Sequence, residues 1–550
     1  MKLPYKQRGV GLIIFFLALI LAGSVFLLTH IEPEQGRVVG EAKTSRSLAA
    51  AKQALLSYAA SFYLLQSNHL GRHGILPCPE IATSASEGSQ INMCEGANIS
   101  SLGRLPWKTL DIQPLKDSAG ECLWYAVSGG FKNNPASLMT NDDTPGMFRV
   151  FKEDGTLLMG DTAENRVAAV IISPGKPLPG QARPNATANS TCMVTRDVAE
   201  NAVTNYLDNH RGITNASVDT ANEDEIDTFI TASGLSDNPG LNDRIITITT
   251  DEIFDAIKKS TALYDDKIGA LGDALGKCLA NYAVAGATTS SNPSTCPGLQ
   301  GCRIDCQNAS QICHAAATTG PEHKQCNDER KACRDQCDAD CASSGGSGST
   351  NYHLPWPAPV NLNPQDFRED DSYDDLDQAG VTDPTTGQGY LGRLPNITDD
   401  SLLDNPGSDP NIFTTCDLET SSPEMHTLWQ HWKDHWFYVV GEEFSPTGTN
   451  GSPSCTNCPQ LNGGTRYAAI LIFSDERTNT QLRRSNKTED PDPALDDSKA
   501  DIENYLEGSN FNNYPDGSGN GNYGVNNVND RLFCIKEDLS DPDPVIECTP

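Results

Sequence analysis

Basic residues are scarce: 40 Lys and Arg against 73 Asp and Glu leave a formal charge of −33 over 550 residues. Phosphate backbones and anionic lipid surfaces are bound by concentrated Lys and Arg, so this balance excludes nucleic acid as a partner and assigns the acidity to solubility. Missing too are the G-x-S-x-G elbow, the H-E-x-x-H helix and the G-x-x-x-x-G-K-[ST] loop. With them go the common hydrolase, metalloprotease and nucleotide-binding signals, and no enzymatic activity is expected. The runs NGGTR, GSGNGNYG and SSGGSGST lack the Lys-Ser/Thr and the strand-to-helix setting of a phosphate cradle and read as flexible loops. Long apolar runs are absent except for one, VGLIIFFLALILAGSVFLL at 10–28.

What is present fits a secreted or membrane-anchored globular chain. The hydrophobic share of 37% supports packed cores, and the length allows about two to four domains. Eighteen cysteines, an even number, point to an oxidising compartment in which thiols pair. Residues 10–28 exceed the apolar core of a secretory signal, end without an A-x-A cleavage site, and match the length of a membrane-crossing helix. Lys2, Lys6 and Arg8 precede the run while Glu32 and Glu34 follow, which keeps the N-terminus cytoplasmic and sends the remainder outward. From Gly40 to Gln66, Leu48, Leu55, Ala59 and Phe62 recur at helical spacing and extend a helix past a kink at Pro33.

The placement of KQRG directly against the apolar run resembles the class III signal of type IV pilins and type II secretion pseudopilins, over about the first 25 residues. The resemblance implies that a leader, 1–9, is removed by a prepilin peptidase between Gly9 and Val10 and that the new N-terminus is methylated. It further implies a long hydrophobic helix over 10–66, spanning the membrane at 10–28, whose outer half packs on a small antiparallel sheet, giving an α+β head. Other pilins or pseudopilins are then the partners of that helix. The chain sits first as a single-pass protein of the inner membrane with periplasmic heads, later in a fibre or at the cell surface. One residue departs from the pattern, Ile14 standing where the family usually has Glu. In the family that carboxylate neutralises the amine of the preceding subunit, and a subunit at the fibre tip has none ahead of it, so a tip-type minor member tolerates the loss.

The chain also contains itself twice, in order. ALLSYA (54–59) returns as CLANYA (278–283), LPCP (76–79) as LPWP (354–357) and LGRLP (102–106) as LGRLP (391–395). CLWYAVSG (122–129) is echoed by HWFYVVGE (435–442), NRVAAVIIS (165–173) by TRYAAILIF (465–473), NYLD (205–208) by NYLE (504–507) and NDRIITI (242–248) by NDRLFCI (529–535). Such collinearity predicts a tandem duplication, with α+β heads over 67–250 and 251–550, the second opening on a charged helix at about 251–285 that cannot cross a membrane.

Between ALLSYA and LPCP the first copy has 16 residues, whereas the second has 70. The added insert, 294–347, carries C-x3-C-x6-C and its mirror C-x6-C-x3-C, so each triplet lies along one helical face. Two antiparallel helices then pair as Cys302–Cys337, Cys306–Cys333 and Cys313–Cys326, with Cys296–Cys341 closing the base, a disulfide-laddered hairpin. A thiolate zinc site with His314 and His323 is the competing reading, but zinc knuckles take C-x2-C or C-x4-C and neither occurs in the insert. Elsewhere Cys78 and Cys94 lie in a stretch whose counterpart has Trp356 in place of Cys78, which pairs them. Proximity suggests Cys455–Cys458 and Cys534–Cys548, and Cys122–Cys192 or Cys278–Cys416 are further candidates.

Two stretches invite metal readings. HTLWQHWKDHWFY (426–438) spaces His431 and His435 four apart beside His426, yet the repeat puts His435 at the start of a strand opposite Cys122. Trp429, Trp432 and Trp436 then fill a core or form a sticky surface. DDSYDDLDQ, with Asp370, Asp371, Asp374 and Asp375, and TEDPDPALDDSKAD (488–501) are calcium candidates without the D-x-[DN]-x-[DN]-G pattern, and a solvated acidic loop is the better reading. No cofactor is otherwise expected. The expected function is a minor pilin or pseudopilin at a fibre tip, its head free to touch a surface or a carbohydrate. The alternative is a membrane-tethered periplasmic enzyme or ligand-binding protein outside any fibre.

Overall fold

The computed structural model describes residues 38–62, 72–289 and 352–548, together with Cys333, but not 138, 185–190, 194–196, 223–224, 234–239, 261–262, 361–365, 369–372, 374–389, 398–417, 447, 449–454, 479, 485–498, 500, 514–520 and 526–528. Gly9, Val10, Ile14, the apolar run, the insert apart from Cys333, and Asp370, Asp371, Asp374 and Asp375 therefore lie outside the described residues. Among the described residues no helix is long and apolar enough to cross a membrane.

The chain is α+β. Helix α1 (38–62) turns Leu48, Ala51, Leu55 and Ala59 to one side, a stripe at helical spacing that is buried against the first sheet. That sheet is built from β1 (Ser101–Arg104), β2 (Trp124–Val127), β3 (Phe148–Lys152), β4 (Leu157–Met159) and β5 (Val167–Ser173), later joined by two more strands. A small ribbon, β6 (Asn209–His210) with β7 (Ile213–Thr214), precedes the latecomers β8 (Asp227–Thr231) and β9 (Arg244–Thr249). β9 pairs with β5, and β8 runs parallel to β3. The sheet is thus seven-stranded and mixed rather than small and antiparallel. A parallel neighbour needs a long crossover, here the stretch between β4 and β8, and strand composition carries no sign of pairing direction.

Two helices follow, α2 (Thr250–Ser260) and α3 (Leu263–Thr289), where the pattern suggested one. α2 packs on β9, next to α1. α3 covers the second sheet, β10 (Leu391–Arg393), β11 (Trp436–Val440), β13 (Ala469–Phe473), β15 (Arg531–Ile535) and β16 (Val545–Glu547), in that order. A parallel ribbon of β12 (Gln460–Leu461) and β14 (Asn522–Tyr523) stands apart. The short α4 (Leu418–Ser421), α5 (Pro423–Trp432) and α6 (Gly508–Asn512) complete the helices that matter here. α3 can lie close to its sheet because it offers glycine: a Cβ on Gly272 would stand 2.4 Å from the Phe533 ring, and one on Gly276 would stand 2.8 Å from Val545.

The two sheets agree in register. Arg104 faces Trp124, which faces Ile172, which faces Ile245. In the second sheet Arg393 faces Phe437, then Ile472, then Leu532. The same side chains recur on the same faces. Tyr125, Val127, Ala169 and Ile171 point into a helix-covered core that also holds Tyr438, Val440, Ala469 and Leu471 and runs through both sheets. Their neighbours point the other way, Trp124, Val170 and Ile172 into one satellite core and Phe437, Ile470 and Ile472 into another. Tyr125 Oη donates to the Pro77 carbonyl and Tyr438 Oη to that of Pro355, both at 3.2 Å.

Two polar devices recur as well. Tyr206 lies between Arg104 and Arg183, their guanidinium carbons 4.4 and 5.1 Å from the ring centre, and Tyr505 lies between Arg393 and Arg483 at 4.9 and 5.0 Å. Arg183 donates to the carbonyls of Gly175, Asn205 and Tyr206, while Arg483 donates to those of Asp475, Asn504 and Tyr505. Each half also sets two carboxyls side by side to accept from nearby backbone N–H groups, both buried in the first half and only that of Asp530 in the second. Asp243 accepts from the Asp208 N–H (2.7 Å) and from Asn215, and Asp208 accepts from Asn242 N–H (2.7 Å). Asp530 accepts from the Glu507 N–H (3.2 Å) and from Asn510, and Glu507 accepts from Asn529 N–H (3.0 Å).

Disulfides join Cys78 to Cys94, Cys122 to Cys192, Cys455 to Cys458 and Cys534 to Cys548, with Cα separations of 5.5 to 5.9 Å. Cys278 and Cys333 are also disulfide-bonded.

Candidate functional site

The densest polar chemistry lies where the two halves meet. After a turn at Gly129–Phe131 the chain runs toward β3 through Thr140, Asn141, Asp142 and Asp143, all buried. Several of their polar groups are answered from the other half: Thr140 N–H donates to His431 Nδ1 (2.8 Å). Asn141 Nδ2 donates to the His431 carbonyl (3.0 Å) and to Asp434 Oδ1 (2.7 Å). Arg484 reaches back, donating to the Asp142 and Glu164 carbonyls and pairing with Asp251, while Arg477 pairs with Glu164 and Asp251. Phe254 and Tyr264 close on Trp432, with ring centres 5.8 and 5.4 Å apart. The junction is buried and closely packed.

His435 is its centre. α5 ends at Trp432, a single tight turn over Lys433–His435 follows, and β11 begins at Trp436, so the histidine is fixed between helix and strand. Trp432, Phe473 and Tyr505 enclose its ring at 4.9, 5.7 and 5.8 Å. Nδ1 lies 2.6 Å from the Ser474 carbonyl, which only accepts, so Nδ1 carries a proton. Nε2 faces Asp143 Oδ2 at 2.9 Å, Asp142 Oδ1 at 3.5 Å and Asp434 Oδ1 at 3.9 Å. The approach to Asp143 is close but off the N–H axis, and neither Nε2 nor either Asp143 oxygen makes a hydrogen bond of good geometry.

Burial disfavours charge here, and neighbouring charges overcome it. Burial lowers the His435 pKa, but Asp143 and Asp434 raise it by more, so it ends above the usual imidazole value. Burial raises the Asp143 carboxyl, and the charges of His435 and Arg483 bring it well below the usual range. Asp434 is likewise depressed, burial being outweighed by Lys499, 2.8 Å from it, and by His435. Lys499 is raised by Asp434 and Tyr505 against the effect of burial.

Among the described residues, one group offers three ligand atoms for a metal within 4.8 Å of one another: Asp142, Asp143 and His435. A cavity of about 20 Å³, room for one water, adjoins Asp143 and is lined by Ser137, Thr144, Arg484 and Lys499. His426 and His431, the other histidines of the sequence-derived candidate, sit in α5 and are buried, with His431 turned to Thr140 rather than toward His435's carboxylates. The spacing of four therefore does not make a ligand pair; the partners of His435 come from a loop almost three hundred residues earlier. Sequence reasoning missed Asn141, Asp142, Asp143, Arg484 and Lys499. One signal was available: Gln181-x-Arg183 and Gln481-x-Arg483 are a further collinear pair, and Arg484 immediately follows the second.

Comparison of the chain with protein-family models, with curated proteins and with solved structures found no match.

Proposed function

We propose that the chain is a minor, tip-type pilin or pseudopilin: one apolar N-terminal helix bearing two copies of a single α+β head, processed after Gly9 and assembled into a type IV pilus-like or type II secretion fibre. The observation that carries this reading is the position of α1, which lies along the first sheet as an N-terminal helix and leads directly upstream to the only long apolar run of the sequence. The residue-by-residue agreement of registers, tyrosine–carbonyl bonds and arginine-flanked tyrosines supports the duplication. By that equivalence α3 stands for the outer half of α1, Leu279 and Ala283 taking the places of Leu55 and Ala59, all four buried. One anchor with two heads places far more mass beside the helix than neighbouring subunits leave room for along a fibre, which favours the tip. We assign contact with a surface or a carbohydrate ligand to the cysteine-rich insert at 294–347.

A mass spectrum of the mature N-terminus tests the processing on which the proposal depends. A methylated Val10 is the expected result; a chain retaining Met1 in cells that are building fibres overturns the fibre role in favour of a periplasmic tether. Deleting 294–347 and scoring attachment separately from piliation tests the adhesive role.

A further inference from the structure

We infer that Asp142, Asp143 and His435 bind a divalent transition metal, zinc by preference, which ties the loop before β3 to the start of β11. This inference stands apart from the fibre reading and holds for a tethered protein equally.

Three observations carry it. Asp143 and His435 are fully buried, Asp142 nearly so, and both Asp143 oxygens, Asp142 Oδ1 and His435 Nε2 have no hydrogen-bond partner. Carboxylates in that condition are costly, and an ion is one of the few things that resolves them. The Ser474 carbonyl holds Nδ1 as the protonated nitrogen and so turns the Nε2 lone pair toward the two carboxylates, the outer-shell arrangement that prepares a histidine for a metal. The separations also suit: Nε2 lies 2.9 and 3.5 Å from the two carboxylate oxygens. Ligands at bond lengths of about 2.0–2.1 Å around a tetrahedral zinc sit roughly 3.3 Å apart. One imidazole with two carboxylates suits zinc better than calcium, which prefers six or more oxygens.

The surrounding cations do not fill this role. Arg483 Nη1 is 3.9 Å from Asp143 Oδ2, outside hydrogen-bond reach, and four of its five N–H donors go to the carbonyls of Asp475, Asn504 and Tyr505 and to Gln481. Arg183 makes the corresponding bonds in the first half, with its Nη1 3.4 Å from Glu121 Oε1. Lys499 is bonded to Asp434, Arg484 to carbonyls and Asp251, and Lys258 stays 3.7 Å from Asp142 Oδ2 without a hydrogen bond. The competitor is a proton on Nε2.

The test uses the oxidised full-length protein, so that no free thiol competes. After treatment with a chelator, zinc, manganese and calcium are added singly, unbound ion is removed, and metal per chain is measured. About one zinc per chain is expected, with the Asp143→Asn and His435→Gln variants retaining less than about a tenth of that. Cobalt substitution gives a second readout, visible absorption of the tetrahedral kind that both variants lose. Near-UV circular dichroism shows which variant has kept its fold; Asp142→Asn replaces one that has not. Wild-type protein that retains no stoichiometric transition metal, or that retains it equally in the folded variants, overturns the inference and leaves His435 as a protonated partner of Asp143. Binding of calcium alone overturns it too.

Discussion

Replacing Asp530 by Asn is an informative single perturbation of the second half. Burial, together with the charge of Glu507, pushes the Asp530 carboxyl up to about 7, although bonds from Asn510 and the Glu507 N–H and the charge of Arg483 oppose this. The unfolded chain titrates near 3.9. Between those values the folded state holds a proton that the unfolded state has released, so stability falls as pH rises, by at most about 1.4 kcal/mol per unit. Below pH 4 both states are protonated and above 7 both are ionised, so the slope from this group is confined to that window. Asparagine can accept the same two hydrogen bonds at Oδ1 but has no proton to lose. From pH 5 to pH 8 the Asp530→Asn variant should therefore gain about 1–3 kcal/mol on the wild type. Urea unfolding with disulfides intact, followed by tryptophan fluorescence at both pH values, measures the difference. A gap between variant and wild type that is the same at pH 5 and pH 8 refutes the reasoning, because a merely structural change does not track a proton.

Other expectations are simpler. Gly272→Ala puts a methyl into the Phe533 ring and, despite a gain in helix propensity of roughly 1 kcal/mol, should destabilise the second half by a net 1–2 kcal/mol in the same melts. Removing the Cys78–Cys94 bridge by a double Ser substitution frees a loop with a sequence separation of 16 and should lower stability by about 3 kcal/mol, read as a lower urea midpoint. Arg393→Lys should cost about 2–4 kcal/mol in the same urea melts even though the charge is kept, because lysine cannot donate at once to the carbonyls of Val360, Asp434 and Lys499 while stacking on Tyr505. Hydrogen exchange in β10 and β11 should rise with it, and an unchanged rate argues against the role given to Arg393.

The α+β fold was legible where local pattern decides. Leu48, Leu55, Ala59 and Phe62 are buried along α1 as their spacing suggests, and the apolar runs at 167–172 and 469–473 became central strands buried on both faces. What failed to show depends on chain segments meeting at long range. The parallel β3–β8 pair, the division of α2 from α3 between two sheets, and the meeting of Asp142 and Asp143 with His435 follow from the path of the chain. No spacing encodes them. In the HWKDH stretch the repeat correctly set His435 at the start of a strand and not on a helix with His431, but nothing local showed that its neighbours Asp142 and Asp143 come from the other half.

The apolar core that passes without interruption from α1 through the first sheet to α3 and the second has a mechanical meaning. A pull applied at α1 finds no soft joint at which to dissipate: it is handed across the seam as shear on many short bonds loaded side by side, with Thr140, Asn141 and Arg484 among the first to bear it. The two halves should accordingly yield together under force, in one rupture event and not in two.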